Sequence, residues 1–292
     1  MVTLPPPDAV ADLQRRLLDW YAANGRDLPW RHTRDPYAIL VSEVMLQQTQ
    51  VARVVPRYLD WLARFPSLEA LAAAPLAEVL RRWQGLGYNT RARRLRDCAL
   101  AVVAQAAGAP ARLPRALADL ERLPGVGPYT ARAVLVFAHN EDLAAVDANV
   151  RRVLTWELGL PPDLDRRALQ AVAEAVLPRG RSRDWHNALM DYGALVLTGR
   201  RTGLGPARRQ PPFRGSRREL RARLIRLLLA HGPSPVADLA PRLGAAPERV
   251  AAALAGLAAD GLVAVGDGVA RVPDGHTMAT TARPPADSDE GG

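Results

Sequence analysis

The chain is 292 residues long, 48% hydrophobic and basic, with 39 Lys+Arg against 30 Asp+Glu for a formal charge of +9. That length exceeds a usual single domain, the apolar content suffices for a core, and the charge favours a polyanionic partner. A lone cysteine, Cys98, excludes disulfide frameworks and multi-cysteine metal sites, and the scattered histidines exclude a paired-ligand zinc pattern.

All the cations are arginine; there is no lysine. Met1 to Asp8 is Pro-rich without a basic-then-apolar signal, and no apolar run approaches membrane-spanning length. The expectation is a bacterial cytoplasmic protein associated with the nucleoid, monomeric and without a membrane partner.

Val10 to Ala23 carries helical periodicity through Leu13, Leu17, Leu18 and Tyr21. Asp27-Leu28-Pro29-Trp30-Arg31 breaks it, and Asp35-Pro36 opens the next helix with proline at its first position. The following run to Phe65 is apolar except for one carboxylate, Glu43, and a polar clump from Gln47 to Gln50. Desolvation there raises a carboxyl's proton affinity, as a general acid near neutral pH requires. The alternative is a helix carboxylate that merely points to solvent.

Ser67 is expected to cap a short helix, and Pro75 to open another ending at Gly85-Leu86-Gly87-Tyr88. Arg91 to Ala107 reads as a long amphipathic helix with Cys98 as a core thiol. Leu117 to Arg122 leads into the turn Leu123-Pro124-Gly125-Val126-Gly127, and Pro128 starts the helix Tyr129 to Ala138. Asp147 caps Val150 to Leu158, Asp165 heads Arg167 to Leu177, and Asp184 heads Trp185 to Leu197. Period-two alternation is nearly absent before residue 200, so this part is expected to be all-α.

Thr198 to Ser216 is Gly, Pro and an arginine crowd (Arg200, Arg201, Arg208, Arg209, Arg214), a linker or basic loop. Helices over Arg217 to His231, Pro235 to Leu243 and Ala245 to Asp260 follow, then a hairpin, Leu262 to Val272, around Gly266-Asp267-Gly268. This is winged helix-turn-helix order over 217–273, with Pro247 to Ala259 in the recognition-helix place. Winged helices also serve as protein-binding modules. The polar tail, 274–292, is expected to be disordered.

Two stretches carry chemistry. The glycine turn at Gly125, Val126 and Gly127 opens directly into a helix, where backbone N–H groups and the helix dipole suit a phosphate. Shortly after, Ala145-Val146-Asp147-Ala148-Asn149-Val150-Arg151-Arg152 places a second carboxylate at a helix start. Leu-Pro-Gly-Val-Gly-Pro-Tyr-Thr-Ala followed by Val-Asp-Ala-Asn-Val-Arg-Arg-Val resembles the signature of the HhH-GPD DNA glycosylase superfamily. Ser42 to Val51 and Gly85 to Tyr88 narrow the resemblance to the MutY-type adenine DNA glycosylases, over about Leu13 to Thr198.

The resemblance implies a two-lobed helix-hairpin-helix fold over 9–200. One lobe spans about 29–133; the N-terminal helix and about 134–200 form the other, with 201–216 as linker. It implies double-stranded DNA as partner and excision of adenine mispaired with 8-oxoguanine or guanine. By the same resemblance Glu43 is the general acid and Asp147 stabilises the sugar cation, while capping its helix as well. Tyr129 and Asn149 help order them. Gln48 resembles the residue wedged into the space left by the flipped base, and Tyr88 the one at the opposite base, with Thr49 and Leu86 nearby; a core aromatic is the alternative for Tyr88. Trp30, Arg31, Leu46 and Asp191 match positions around the flipped base, although Trp30 also fits a core.

Departures from the family carry equal weight. Its members usually bind a [4Fe–4S] cluster through four cysteines after the Asp191 helix; this chain lacks them, so no cofactor or metal is expected. Arg200, Arg201, Arg208 and Arg209 are then expected to take over the cluster loop's phosphate contacts. A lysine that would form a Schiff base is missing, so strand cleavage is not expected. The Nudix-like C-terminal domain of such enzymes is replaced by the winged helix. The rivals are a glycosylase for another base, such as thymine or hypoxanthine, and a non-catalytic DNA-binding or regulatory protein.

Overall fold

A computed structural model describes residues 6–205 and 212–273 of the chain. Helix α1 (Pro7–Asn24) and a 3-10 turn (Pro29–Arg31) precede α2 (Pro36–Leu46), α3 (Val51–Arg64), α4 (Leu68–Ala73), α5 (Leu76–Trp83) and α6 (Thr90–Ala106). Then come α7 (Leu117–Glu121), α8 (Pro128–Val134), a π-helical turn (Leu135–His139), α9 (Ala148–Glu157), α10 (Arg166–Ala175), α11 (Ser182–Leu195) and α12 (Gly199–Thr202). Among the described residues no strand occurs before Ser234, and no helix is long and apolar enough to cross a membrane.

Side chains that accept from first-turn N–H groups fix the helix starts. Asp35 accepts from Tyr37 and Ala38, Ser67 from Ala70, Asp147 from Val150, and Asp165 from Ala168. One expected start moves: α11 begins at Ser182, and Asp184 lies inside its first turn, where its charge suits the helix dipole. The helix expected over Tyr129 to Ala138 widens into the π-helical turn, whose carbonyls at Phe137 and Ala138 accept from Arg183 at 2.8 and 3.1 Å. Such widened turns concentrate at functional sites.

Two buried clusters divide the helices. In the first, from α2 to the π-helical turn, Trp61 is fully buried, packs edge-on against Phe65 and Trp83, and donates to the Tyr37 hydroxyl at 3.2 Å. The second joins Leu13, Leu17 and Leu18 of α1 to Val153 of α9, Leu169 of α10 and Trp185 of α11. The first cluster keeps the chain past residue 133, through the π-helical turn. The crossing falls at Ala144 and Ala145, just before Asp147.

Part of the expected linker is helical, because Thr198 caps α12 through the Arg201 N–H. Arg208, Arg209 and the tail 274–292 lie outside the described residues. The C-terminal module runs α13 (Arg217–His231), β1 (Ser234–Pro235), α14 (Val236–Leu243), α15 (Pro247–Ala259), β2 (Ala264–Gly266) and β3 (Val269–Arg271). Its sheet is antiparallel in the order β1-β3-β2, with Asp267 and Gly268 at φ 52 and 72 in the hairpin turn. Strand β1 was not expected; at two residues, one a proline, it has no alternation to read. Leu220, Leu224, Leu239, Leu254 and Leu257 of this module belong to the same buried cluster as the first lobe. Arg81 of α5 also donates to the Leu229 carbonyl at 3.3 Å.

Candidate active site

Helix α2 is buried from Tyr37 to Met45, which leaves Glu43 6% exposed. Its carboxyl accepts from the Tyr129 hydroxyl at 2.9 Å. Tyr129 is placed by the glycine turn before α8. Gly125 has φ +76 and lies so close to α6 that a Cβ would fall 2.7 Å from that of Arg94; only glycine fits there. Burial pushes Glu43 up to about 7, the charge of Asp147 adds to the rise, and the Tyr129 bond opposes it. Near neutral pH a large share of Glu43 therefore carries a proton to give.

Asp147 accepts from the Val150 N–H at 2.7 Å and from the Asn149 amide at 2.9 Å. Burial raises its pKa while these bonds hold it down, so the second acid is pinned on both oxygens. Asn149 is fixed in turn: Arg152 donates to its Oδ1 and to the Gly193 carbonyl, each at 2.6 Å. Helix α11 comes this close only because Gly193 lacks a Cβ, which would sit 2.8 Å from that of Asn149. The crossing segment is anchored by His186, whose Nε2 accepts from the Ala145 N–H at 2.9 Å while Nδ1 faces the Ser182 carbonyl at 2.6 Å. Burial pushes His186 down to about 4 and keeps it neutral, with one nitrogen to donate and one to accept.

Beside Glu43 lies an open cavity, about 530 Å³ of space including its mouth. Trp30, Arg31 and Leu46 line it, together with Ser42, Phe137 and Met190. Asp191 does not. It is fully buried behind the lining, where it accepts from both Arg26 and Arg31 and holds the segment between α1 and α2 against α11. Although burial pushes Asp191 up, the bonds from these arginines bring it below its ordinary value. Two lining residues, Arg183 and Asn187, were not anticipated. The signal existed: positions 183, 187 and 190 share one face of α11, a step of 4 then 3. Asn187 is 7% exposed, and among the described residues no protein group bonds to its amide.

The two polar loops are joined by Arg91, at the start of α6. It donates to the carbonyls of Val44, Met45 and Gln47 at 2.7, 3.1 and 2.7 Å, and to those of Leu86 and Gly87 at 3.1 Å. It also reaches the Thr49 hydroxyl at 3.2 Å and lies over the Tyr88 ring at 5.7 Å. Burial lowers its pKa to about 10, and oxygens rather than a carboxylate hold it. The tips of the joined loops, Gln48 and Tyr88, have φ 54 and 47, left-handed values unusual for non-glycine residues. Tyr88 is 41% exposed, whereas Leu86 is buried and Val126 is buried with its N–H spent on the Leu123 carbonyl. Arg200 and Arg201 are exposed on α12. No group of three or more His, Cys, Asp and Glu among the described residues could hold a metal ion.

Residues 41–179 match the HhH-GPD superfamily of base excision DNA repair proteins. An adenine DNA glycosylase of Mycolicibacterium smegmatis is 40% identical over 233 residues, 73% of this chain and 78% of that protein. Among solved structures, a thermostable thymine-DNA glycosylase superposes with a TM-score of 0.62 at 32% identity, covering 67% of this chain and 90% of its own. A non-covalent endonuclease III–DNA complex shares the fold, with a TM-score of 0.57 at 20% identity over 67% of this chain and 87% of its own.

Proposed function

Because the chain belongs to the HhH-GPD superfamily, on its adenine DNA glycosylase branch, we propose that it hydrolyses the N-glycosidic bond of adenine mispaired with 8-oxoguanine or guanine in double-stranded DNA. The observation that carries this reading is the acid pair: Glu43, kept protonated near neutrality by burial, under the charge of Asp147, which two donors fix. The target adenine leaves the stack, at a cost of a few kcal/mol, and enters the cavity lined by Trp30, Arg31 and Leu46. Glu43 gives its proton to N7, and the C1′–N9 bond breaks with its electron pair retained by the base. The Asp147 carboxylate stabilises the sugar cation until water adds at C1′ and returns a proton to Glu43.

Tyr129 holds the Glu43 carboxyl, and Asn149 holds Asp147. Gln48 fills the vacated stack and Tyr88 lies at the opposite base, both set by Arg91, with Thr49 and Leu86 in the joint behind them. The turn meets phosphates through Gly125 and Gly127, with Arg200 and Arg201, while Val126 packs beneath it with its N–H on the Leu123 carbonyl. A four-thiolate cluster does not fit this chain, whose single cysteine is buried in α6. Without a lysine to form a Schiff base, the enzyme removes the base and leaves the strand intact.

The test is a panel of duplexes carrying adenine, thymine or hypoxanthine opposite guanine and 8-oxoguanine. Adenine release is expected, with strand breaks only after heat or alkali, and Glu43→Gln should abolish release while keeping binding. The structural likeness to a thymine-DNA glycosylase gives the second reading; release of thymine and not adenine would establish it instead.

A further inference from the structure

The C-terminal module has the element order of a winged helix, but α15 offers little to read: the exposed Arg249 of its first turn is turned to the Gly215 carbonyl at 2.9 Å. Beyond its first turn the outward residues of α15 are Ala251, Ala252, Ala255, Ala258 and Ala259, which offer a base edge neither donor nor acceptor. The hairpin tip puts an acid, Asp267, where a phosphate would approach. Positive charge gathers instead at the start of α13. There Arg217 leans back to the Ala252 carbonyl at 3.4 Å, and Arg221 pairs with Asp260. Arg218 points the other way, across to the first lobe, and its Nη1 lies 3.4 Å from the Tyr88 hydroxyl. This contact does not depend on a loose tether, since the module shares the first lobe's core and Gly261 rests against Arg93 of α6.

We infer that Arg218 is the module's contact with DNA, at the base opposite the excised one, and that the module thereby helps to choose that base. The inference rests on the reading of Tyr88 given above. An exposed aromatic on a loop tip meets the faces of bases rather than phosphates. A guanidinium at the hydroxyl end of that ring therefore lies at the rim of the base pair. There its fork matches the O6 and N7 acceptors of guanine, whereas cytosine presents a donor.

The test uses the full chain carrying Glu43→Gln, so that substrate stays intact, and measures affinity for adenine opposite guanine, 8-oxoguanine and cytosine. The parent should prefer guanine to cytosine, with 8-oxoguanine, whose N7 bears a proton and leaves the fork only O6, between them. Arg218→Ala should cut that preference about tenfold or more. Arg218→Lys should lose most of it as well, because it keeps the charge but not the fork. Arg226→Ala, exposed on the same helix, should leave it unchanged, and thermal melting confirms that each variant folds. An equal loss on all three duplexes, no loss, or a parent without preference overturns the inference. Adenine release by the protein with Glu43 intact is scored separately: its absence sinks the enzymatic reading, while the affinity ratios still decide the role of Arg218.

Discussion

Glu43 is a carboxyl whose burial serves reaction at the expense of stability. Below about pH 4.5 both the folded and the unfolded chain hold its proton, and no stability is lost. Between there and about 7 the unfolded chain ionises first, so stability falls as pH rises, and above 7 the loss is complete. At about 1.4 kcal/mol per tenfold change in proton affinity, that loss is about 3 kcal/mol. Glutamine carries no such penalty, so Glu43→Gln should raise the melting temperature more at pH 8 than at pH 5, by on the order of 5 °C or more. An equal gain at both values would mean that the carboxyl is solvated. Single-turnover base release should decline as pH rises through about 7. The sequence exposed this residue because a lone carboxylate stood in an apolar helix. It did not expose Asn187, an ordinary amide whose interest comes only from the cavity it lines.

At the scale of elements, the turn between α2 and α3 and the turn between α5 and α6 behave as one piece because Arg91 fills the space between them. Arg91→Met would keep the bulk and take a donor from five carbonyls and the Thr49 hydroxyl, of which Gly87 keeps Trp83 Nε1 and the hydroxyl keeps the carbonyls of Gln47 and Leu86. An unmet buried acceptor costs roughly 1–3 kcal/mol, and water reaches some of these, so a loss of about 2–4 kcal/mol is expected. DNA affinity should fall at least tenfold while Glu43 and Tyr129 stay in place. A variant that binds DNA normally would show that the loops hold their shape unaided. Helix positions and caps were legible here because Asp35, Ser67, Asp147 and Asp165 each carry a side chain that closes a first turn. The role of Arg91 was not legible: among so many arginines, nothing local marks the one that turns inward. Asp191 was misplaced for a related reason, since adjacent residues on one helix can face a cavity or the arginines behind it.

For the whole molecule, two cores could be anticipated, but the attachment of the C-terminal module could not. Amphipathic helices state that they bury a face without naming the partner. Because Leu220, Leu224 and Ile225 share the first lobe's cluster, deletion after Thr202 should strip cover from that lobe. Lower yield, binding of an apolar dye and a melting temperature reduced by several degrees are the expected results; an unchanged melting curve would show an independent appendage. The placement of α1 has a further consequence. It leaves the ribosome well before its partners, yet Leu13, Leu17 and Leu18 pack against α9, α10 and α11. The leading helix must therefore wait while the first lobe forms between it and its partners. During that interval its apolar stripe is open to chaperones, so a helix made long before its partners is among the last to be secured.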